Sequence, residues 1–195
     1  YQRANPPLSL RNSSPPIIAD RYVLVGFPGG KLLALDMKNG APVWEGPVAL
    51  PKGITELDRI ADVVSVPVVD GKAICASAYQ GRVACFDIGQ GGELIWSRDI
   101  SSSPGITIDG RYLLLTDDKG AVQALDRTAG GSLWKQDKLL NRKVSAPVVR
   151  RGLVAVGDLE GIVHFIGRED GAFAARMKTD GSAIIAPPQV AGNAV

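Results

Sequence analysis

The sequence predicts an all-β protein of four consecutive modules, each with four short strands, and two observations carry that prediction. A frame of Ala, Asp, Gly and Trp occurs with identical spacing at 34–44 and at 124–134. Turn signals such as Asp-Gly separate short runs of Val, Ile, Leu and Ala, which suit strands. A frame that returns together with its strands indicates a repeat architecture.

Two further copies of the frame are less regular. The copy at 84–96, which starts at Ala84, is longer than the regular copies, and either Gly91 or Gly92 is its turn glycine. In the copy at 165–175 the spacing is kept, but the Asp and the Trp are absent. Each copy is predicted to end one module.

The residues of the frame have physical roles that follow from their chemistry. An Asp at a strand end accepts backbone N–H groups, and a Gly suits a turn position with positive φ. The carboxylates are therefore assigned to turn structure; they are Asp36, Asp87 and Asp126. The Trp side chains are predicted to dock successive modules on each other, because unrelated core residues would not keep a fixed place. They are Trp44, Trp96 and Trp134.

The period of the repeat selects the architecture. Turn glycines in equivalent places, which are Gly30, Gly81, Gly120 and Gly161, are separated by 51, 39 and 41 residues. Four strands in a period of about 40 residues are typical of a β-propeller blade. A β-sandwich has similar strand spacing but gives no reason for the whole frame to recur, so the propeller is preferred.

The turn signals place four blades in one partial propeller that spans 1–195. The blades are predicted at 16–45, 66–98, 105–136 and 146–177. Residues 187–195 are predicted to begin a further blade.

The long first interval reflects an insertion at 46–65. Thr55 is a plausible N-cap, and apolar residues follow at i, i+3, i+4 and i+7 from Leu57, so one or two helical turns are predicted near 55–62.

The least repeat-like segments are expected on one face of the propeller. A connection between blades emerges on the same face as the turn between the second and third strands. Residues 1–15 and 46–65 are such connections, and 99–104 and 137–145 continue the same face. Binding residues are expected on loops of this kind, which a rigid scaffold positions.

Length, charge and composition limit the possible functions. The 195 residues suffice for one large domain or two small ones, and the net charge of +2 gives no pointer to nucleic acid. No apolar run approaches the length of a membrane span. There is no nucleophile with a base and no phosphate-binding glycine motif. The only histidine, His164, is assigned a structural place in a strand, and one His with two Cys cannot form a usual zinc site.

The two cysteines flank a turn and are expected nearly opposite each other on paired strands. A cross-strand disulfide between Cys75 and Cys85 is one interpretation. Two buried free thiols are preferred, because free Cys is among the most buried residue types.

Two loops contain apolar residues beside basic ones. In the first, Leu8, Leu10 and Arg11 form a Leu-x-Leu-Arg segment that suits a partner anchor with a charged tip. In the second, Arg142 and Lys143 follow two leucines at 139–140, and a solvated loop is preferred there over a partner contact.

The repeat frame resembles the PQQ-like β-propeller repeat, and longer segments resemble the BamB family of the outer-membrane β-barrel assembly (BAM) machinery. These segments are L-S-L-R at 8–11, T-E-L-D-R-I-A-D-V at 55–63, S-A-P-V-V at 145–149, and V-G-D-L-E-G with V-H-F-I-G-R-E-D-G across 156–171. The resemblance covers nearly the whole chain, including the degenerate fourth frame.

The resemblance implies an eight-bladed propeller, of which this sequence is about the C-terminal half. It implies a non-enzymatic scaffold lipoprotein without a cofactor, on the periplasmic side of the outer membrane. The family's lipidated N-terminal Cys and earlier blades are not in this sequence. The implied partner is the POTRA region of BamA, with unfolded outer-membrane proteins as a further candidate.

The resemblance also implies site residues. In the family, the L-S-L-R loop and an acidic D-V-D loop bind BamA. Carried over, this implicates Leu8, Leu10, Arg11 and Asp62. Val64 stands where the family has the second Asp of D-V-D, and Asp58 and Arg59 are secondary candidates in the same loop.

Two alternatives and one consequence follow. A PQQ-dependent dehydrogenase shares the repeat but needs cofactor and calcium ligands on its loops, which this sequence does not show. A generic propeller scaffold with another partner is the second alternative. Because a half-ring leaves two blade faces bare, the chain is expected to dimerise through strand residues such as Val23, Val25, Val154 and Val156.

Overall fold

The computed structural model describes residues 6–10 and 12–191. It confirms the all-β fold with four antiparallel sheets, each of four strands in sequence order. The strands of the first two blades are β1 (Ile17–Ala19), β2 (Tyr22–Phe27), β3 (Lys31–Asp36), β4 (Pro42–Pro47), β5 (Val68–Asp70), β6 (Ala73–Ser77), β7 (Val83–Asp87) and β8 (Glu93–Arg98). Those of the other two are β9 (Gly105–Asp109), β10 (Tyr112–Thr116), β11 (Val122–Asp126), β12 (Ser132–Gln136), β13 (Val148–Arg150), β14 (Leu153–Gly157), β15 (Ile162–Gly167) and β16 (Phe173–Lys178).

Each blade begins directly after a proline. The prolines are Pro16, Pro67, Pro104 and Pro147. Proline has no backbone N–H to donate to a ladder, so it is tolerated just before the first residue of a strand and not inside it. The first strands of the second and fourth blades therefore begin two residues later than the turn pattern predicts.

The chain divides into two compact units, Tyr1–Ser103 and Pro104–Val195, with two blades each. In the first unit, the face of blade one that carries Leu24, Ala34 and Trp44 packs against buried residues of blade two. The Trp44 ring meets Phe86 edge-on at 5.0 Å between centroids. A Cβ at Gly92 would overlap the indole nitrogen of Trp44, so Gly92, and not Gly91, is the turn glycine that the Trp44 ring covers.

The second unit repeats this packing. Leu114, Ala124 and Trp134 of blade three face buried residues of blade four. The Trp134 Nε1–H donates to the backbone oxygen of Arg168 at 2.7 Å, and the indole covers Gly171. Docking by Trp is thus confirmed within both units. Trp96 is buried, and its docking on the next blade stays a prediction.

The small residue of the frame lies directly opposite the Trp on the neighbouring strand. The pairs are Ala34 with Trp44, Cys85 with Trp96, and Ala124 with Trp134. Cys85, and not Ala84, is therefore the frame residue of blade two. Counted from Cys85 to Trp96, this copy of the frame is one residue longer than the regular copies. A 3₁₀ helix, Ile88–Gln90, which the sequence pattern did not predict, takes up the extra residue. In blade four the order of the large and the small residue is reversed: the aromatic Phe165 is on the third strand, and Ala175 is opposite it on the fourth.

Three sequence expectations are wrong. Cys75 and Cys85 are disulfide-bonded rather than free, because they form a directly opposed pair on β6 and β7. Val154 and Val156 are fully buried against blade three and do not lie on a bare face. Residues 55–62 form no helix: a hydrogen-bonded turn over 56–59 is followed by extended chain.

The start of a further blade at 187–195 stays a prediction. Residues 187–190 form no strand and Ala191 makes a single bridge, while 192–195 lie outside the described residues. Within the described parts of the chain, no helix has the length and apolar character needed to cross a membrane.

Candidate partner-binding surface

In both units the connection between blades lies against the turns between second and third strands. In the first unit, Ala49 N–H donates to the oxygen of Gly30 at 3.0 Å. In the second, Asn141 N–H donates to the oxygen of Lys119 at 2.8 Å, and Leu159 N–H to that of Arg142 at 3.0 Å. Connections and turns therefore share a face within each unit, as blade topology predicts.

Asp62 joins three segments of the first unit. Its Oδ2 accepts the N–H of Leu10 at 2.6 Å and its Oδ1 accepts that of Gly29 at 2.9 Å. Its backbone oxygen accepts the N–H of Tyr79 at 2.9 Å. The residue is only 1% exposed, so the carboxylate organises the loops and is not a charged tip. Hydrogen bonds from several N–H groups compensate the carboxylate for its burial.

The predicted site residues divide by exposure. Leu8 is 43% exposed, Leu10 is half-buried, and Asp58 and Arg59 are exposed. Asp62 and Val64 are buried, and Arg11 lies outside the described residues. The structure brings Leu10 to Asp62 through the backbone, so the two loops that the resemblance names do meet.

A groove of about 380 Å³ opens beside Leu10. Its walls are Ser9, Leu10 and residues 12–14, the end of β2 from Val25 to Phe27 with the following Pro28, and Val63. The end of β2 lines it because β1 pairs only with the first half of that strand. The exposed Leu8 directly precedes the lining residue Ser9 in sequence, and the groove has room for a side chain.

The turn that leads to Asp62 is built by its own polar side chains. The Thr55 hydroxyl donates to Oδ2 of Asp58 at 2.7 Å and accepts the Asp58 N–H at 3.2 Å. The hydrogen bond from this hydroxyl is the main reason that the pKa of Asp58 is lowered. Thr55 thus makes the capping contact that the sequence predicts, although no helix follows it.

This turn also displays two apolar side chains, Leu57, which the sequence pattern placed on the apolar face of a short helix, and Ile54, for which it made no prediction. Leu57 is 66% exposed and Ile54 is 95% exposed. The misleading signal was the helical period of 3.6 residues in the apolar series that starts at Leu57. The segment forms a single turn and no helix, so this period does not bury Leu57.

In the second unit a buried carboxylate also holds the connection, but it comes from a different segment: Asp158 lies in the turn between the second and third strands of blade four and is fully buried. Its Oδ2 meets Nε of Arg142 at 2.7 Å and Nε2 of His164 at 2.8 Å. Burial by itself would raise the pKa of Asp158, but hydrogen bonds from His164, the Ile162 N–H and Arg142 outweigh it and lower the pKa. Arg142 also pairs with Glu160 at 2.7 Å. The expectation of a solvated Arg142 is wrong; this side chain clamps its loop to blade four.

These side-chain groups are structural in arrangement. Within the described residues, no group of three or more His, Cys, Asp or Glu side chains is placed to hold a metal ion. His164 is buried in the strand, as expected, with its Nε2 committed to Asp158.

Comparison with known proteins agrees with the resemblance. A family model described as outer membrane protein assembly factor BamB matches residues 1–136 and 118–195. The outer membrane protein assembly factor BamB of Bordetella pertussis is 44% identical over 194 residues, which is 100% of this chain and 50% of that protein. The chain thus spans about half the length of the curated relatives it matches.

Solved structures give the same result for the fold. The crystal structure of BamB from Moraxella catarrhalis superposes with a TM-score of 0.90 at 32% identity, covering 95% of this chain and 56% of that one. A europium-containing methanol dehydrogenase has a TM-score of 0.64 at 12% identity, covering 84% and 41%, and shares the fold alone. The family match, the sequence identity and the fold together show that this chain belongs to the BamB family.

Proposed function

We propose that the chain is part of a non-enzymatic scaffold subunit of the machinery that assembles outer-membrane proteins. The relatives' shared description as assembly factors supports this role. The site fits it as well, since it presents exposed side chains on rigid blades without a catalytic arrangement. The subunit is placed on the periplasmic side of the outer membrane, held by a lipid anchor of the full-length protein.

The partner we propose is the periplasmic POTRA region of BamA, bound by the surface around Leu8 and Leu10. The observation that carries this is the hydrogen bond from the backbone N–H of Leu10 to the Asp62 carboxylate, which joins the two loops named by the resemblance. In this proposal Leu8 and Arg11 contact the partner, and Asp62 holds their loop in place. Unfolded outer-membrane proteins are a second candidate ligand.

Binding of the full-length protein to purified BamA POTRA domains tests this proposal. Arg11→Glu is expected to weaken binding while leaving the melting temperature unchanged. A matched charge reversal on another surface, Arg127→Glu, serves as the control. Equal affinity of the wild type and the Arg11→Glu variant would contradict the proposed surface.

The dehydrogenase alternative makes a different prediction. It requires bound PQQ, which would appear as cofactor absorbance in the purified protein, and calcium-dependent turnover of an alcohol.

Self-association is tested separately by light scattering: a dimer is expected, and a monomer of about 20.5 kDa at high concentration would exclude it.

A further inference from the structure

The turn at 53–60 is ordered by its own hydrogen bonds. The Thr55 N–H donates to Oδ2 of Asp58 at 3.1 Å, which adds to the two hydroxyl contacts between these residues. Arg59 Nε donates to the backbone oxygen of Gly53 at 3.1 Å and its guanidinium pairs with Glu56 at 3.5 Å. The turn therefore has a defined shape before any partner arrives.

The base of the turn is tied to blade two. With its amide nitrogen facing the turn, Gln80 donates to the oxygens of Leu57 at 3.3 Å and Ile60 at 3.0 Å. Asp62 then fixes the chain to Leu10. Leu57 is five residues from Asp62, so their Cα atoms are at most about 18 Å apart. One standard interface patch of roughly 800 Å² per partner is wide enough to contain both.

This ordered turn holds two large apolar side chains in water. Ile54, at 95%, is the most exposed large apolar side chain among the described residues, and Leu57 is 66% exposed. Single exposed apolar residues are common, but here two belong to one turn that is hydrogen-bonded in a form that does not bury them. Ordering before binding lowers the entropy cost of burying them on a partner.

The charges of the turn are already paired within it. Asp58 is held by Thr55, while Arg59 is held by Glu56 and the Gly53 oxygen. A partner that covers Ile54 and Leu57 therefore needs no opposite charge at this point, and its matching surface is apolar.

We propose that Ile54 and Leu57 are the apolar anchors of the partner-binding surface and enter an apolar cleft of a folded periplasmic protein domain. Asp58 and Arg59 keep the anchors in position without contacting that domain. The proposal rests on the proposed function, since the domain belongs to the partner bound by the Leu8–Leu10 segment, and it adds the residues that supply the apolar contact.

The test measures the affinity of the full-length protein for the BamA POTRA domains. Ile54→Ser and Leu57→Ser are each expected to weaken binding about tenfold, and the double variant more than either, with unchanged melting temperatures. Ile185→Ser is the matched control, because Ile185 is 73% exposed in a loop of the second unit. Asp58→Ala, which keeps both anchors but loosens the turn, should weaken binding roughly two- to tenfold.

The outcomes separate this inference from the proposed function. If Arg11→Glu abolishes binding and both anchor variants bind like the wild type, the anchors are wrong and the proposed function stands. An equal loss with Ile185→Ser, or anchor-dependent binding to phospholipid vesicles in place of the protein domain, would also overturn the anchors. A wild-type protein that does not bind the POTRA domains overturns both.

Discussion

The connection between blades is held by a buried carboxylate in both units, but the carboxylate comes from a different segment in each. Asp62 lies in the connection of the first unit itself, whereas Asp158 lies in the turn between the second and third strands of blade four. Within the part of the chain that the structure describes, the Asp62 carboxylate accepts backbone N–H groups, from Leu10 and Gly29. Asp158 also accepts hydrogen bonds from side chains, those of Arg142 and His164.

The difference determines which of the two connections keeps exposed apolar side chains. The connection at 46–65 is long, and its carboxylate lies near its end, so the preceding turn is left projecting with its apolar residues exposed. The connection at 137–147 is short, and Arg142 pulls it onto blade four while Leu139 is buried beneath it. The connection of the first unit leaves apolar side chains exposed, whereas that of the second unit is held down by an ion-pair network.

The largest expected effect concerns the packing that both units share. Trp134→Ala should lower the free energy of unfolding by about 3–5 kcal/mol, because the indole is buried over Gly171 and its N–H is hydrogen-bonded. Trp44→Ala should cost less, since Trp44 is only half-buried. Chemical denaturation measures both. Equal losses would show that exposure does not distinguish the two docking sites.

A second difference between the units is covalent. Reducing the Cys75–Cys85 disulfide removes a cross-link between residues ten apart, which is expected to cost about 2–3 kcal/mol. Amide hydrogen exchange should accelerate in β6 and β7 and stay unchanged in β14 and β15. The protein unfolded without reductant should yield no free thiol; titration of two thiols would exclude the disulfide.

The third effect is specific to the ion-pair network. Asp158→Asn removes the charge that Arg142 and His164 share and should cost about 1.5–3 kcal/mol near neutral pH. Because the folded-state pKa of Asp158 is lowered, its stabilisation is fully present above the unfolded-state pKa of about 3.9 and is lost as the pH falls through the folded-state pKa.

Denaturant unfolding of the wild type and this variant across pH 2–7 checks the sign. The stability gap between them should be widest near neutral pH and should close in acid. Asp62→Asn is the control carboxylate, since no cation faces it among its described hydrogen-bond partners. A gap that widens as the pH falls would contradict the assignment of Asp158.

The smallest effect on stability, and the most local, is expected at Asp62. Asp62→Asn keeps one acceptor oxygen but turns an amide N–H₂ toward the second backbone donor, at a cost of about 1 kcal/mol. Hydrogen exchange should accelerate at the Leu10 and Gly29 amides, because each of them donates to one oxygen of the Asp62 carboxylate in the wild type. Unchanged protection at Leu10 would show that the 6–10 segment does not need Asp62.

Much of the fold was predictable because it depends on local chemistry that recurs. The predicted turn signals do separate the observed strands, since turn residues and β-branched runs act over short distances. The frame aspartates do cap turns: Asp126 accepts the N–H groups of Thr128 and Ala129. The prolines that open the blades carried a signal of the same kind and were missed.

The meeting of the two loops was predictable, but the exposure of their residues was not. The sequence places 1–15 and 46–65 side by side, and Leu10 and Asp62 do meet. It names Asp62 as a contact residue and puts Leu57 on the apolar face of a short helix, yet Asp62 is buried and Leu57 is exposed. Exposure depends on where the rest of the chain lies, which a local pattern does not contain.

The sequence by itself determined the number of strands, the blade repeat and the place of each Trp, because a fixed spacing imposes the same turn and packing in every copy. Only the tertiary structure decided which carboxylate is buried, which cation reaches it, whether Cys75 and Cys85 join, and which apolar residues stay in water. Those outcomes depend on contacts between segments up to 52 residues apart, such as Leu10 with Asp62. Their energies depend on burial and geometry, which arise only once the blades have packed.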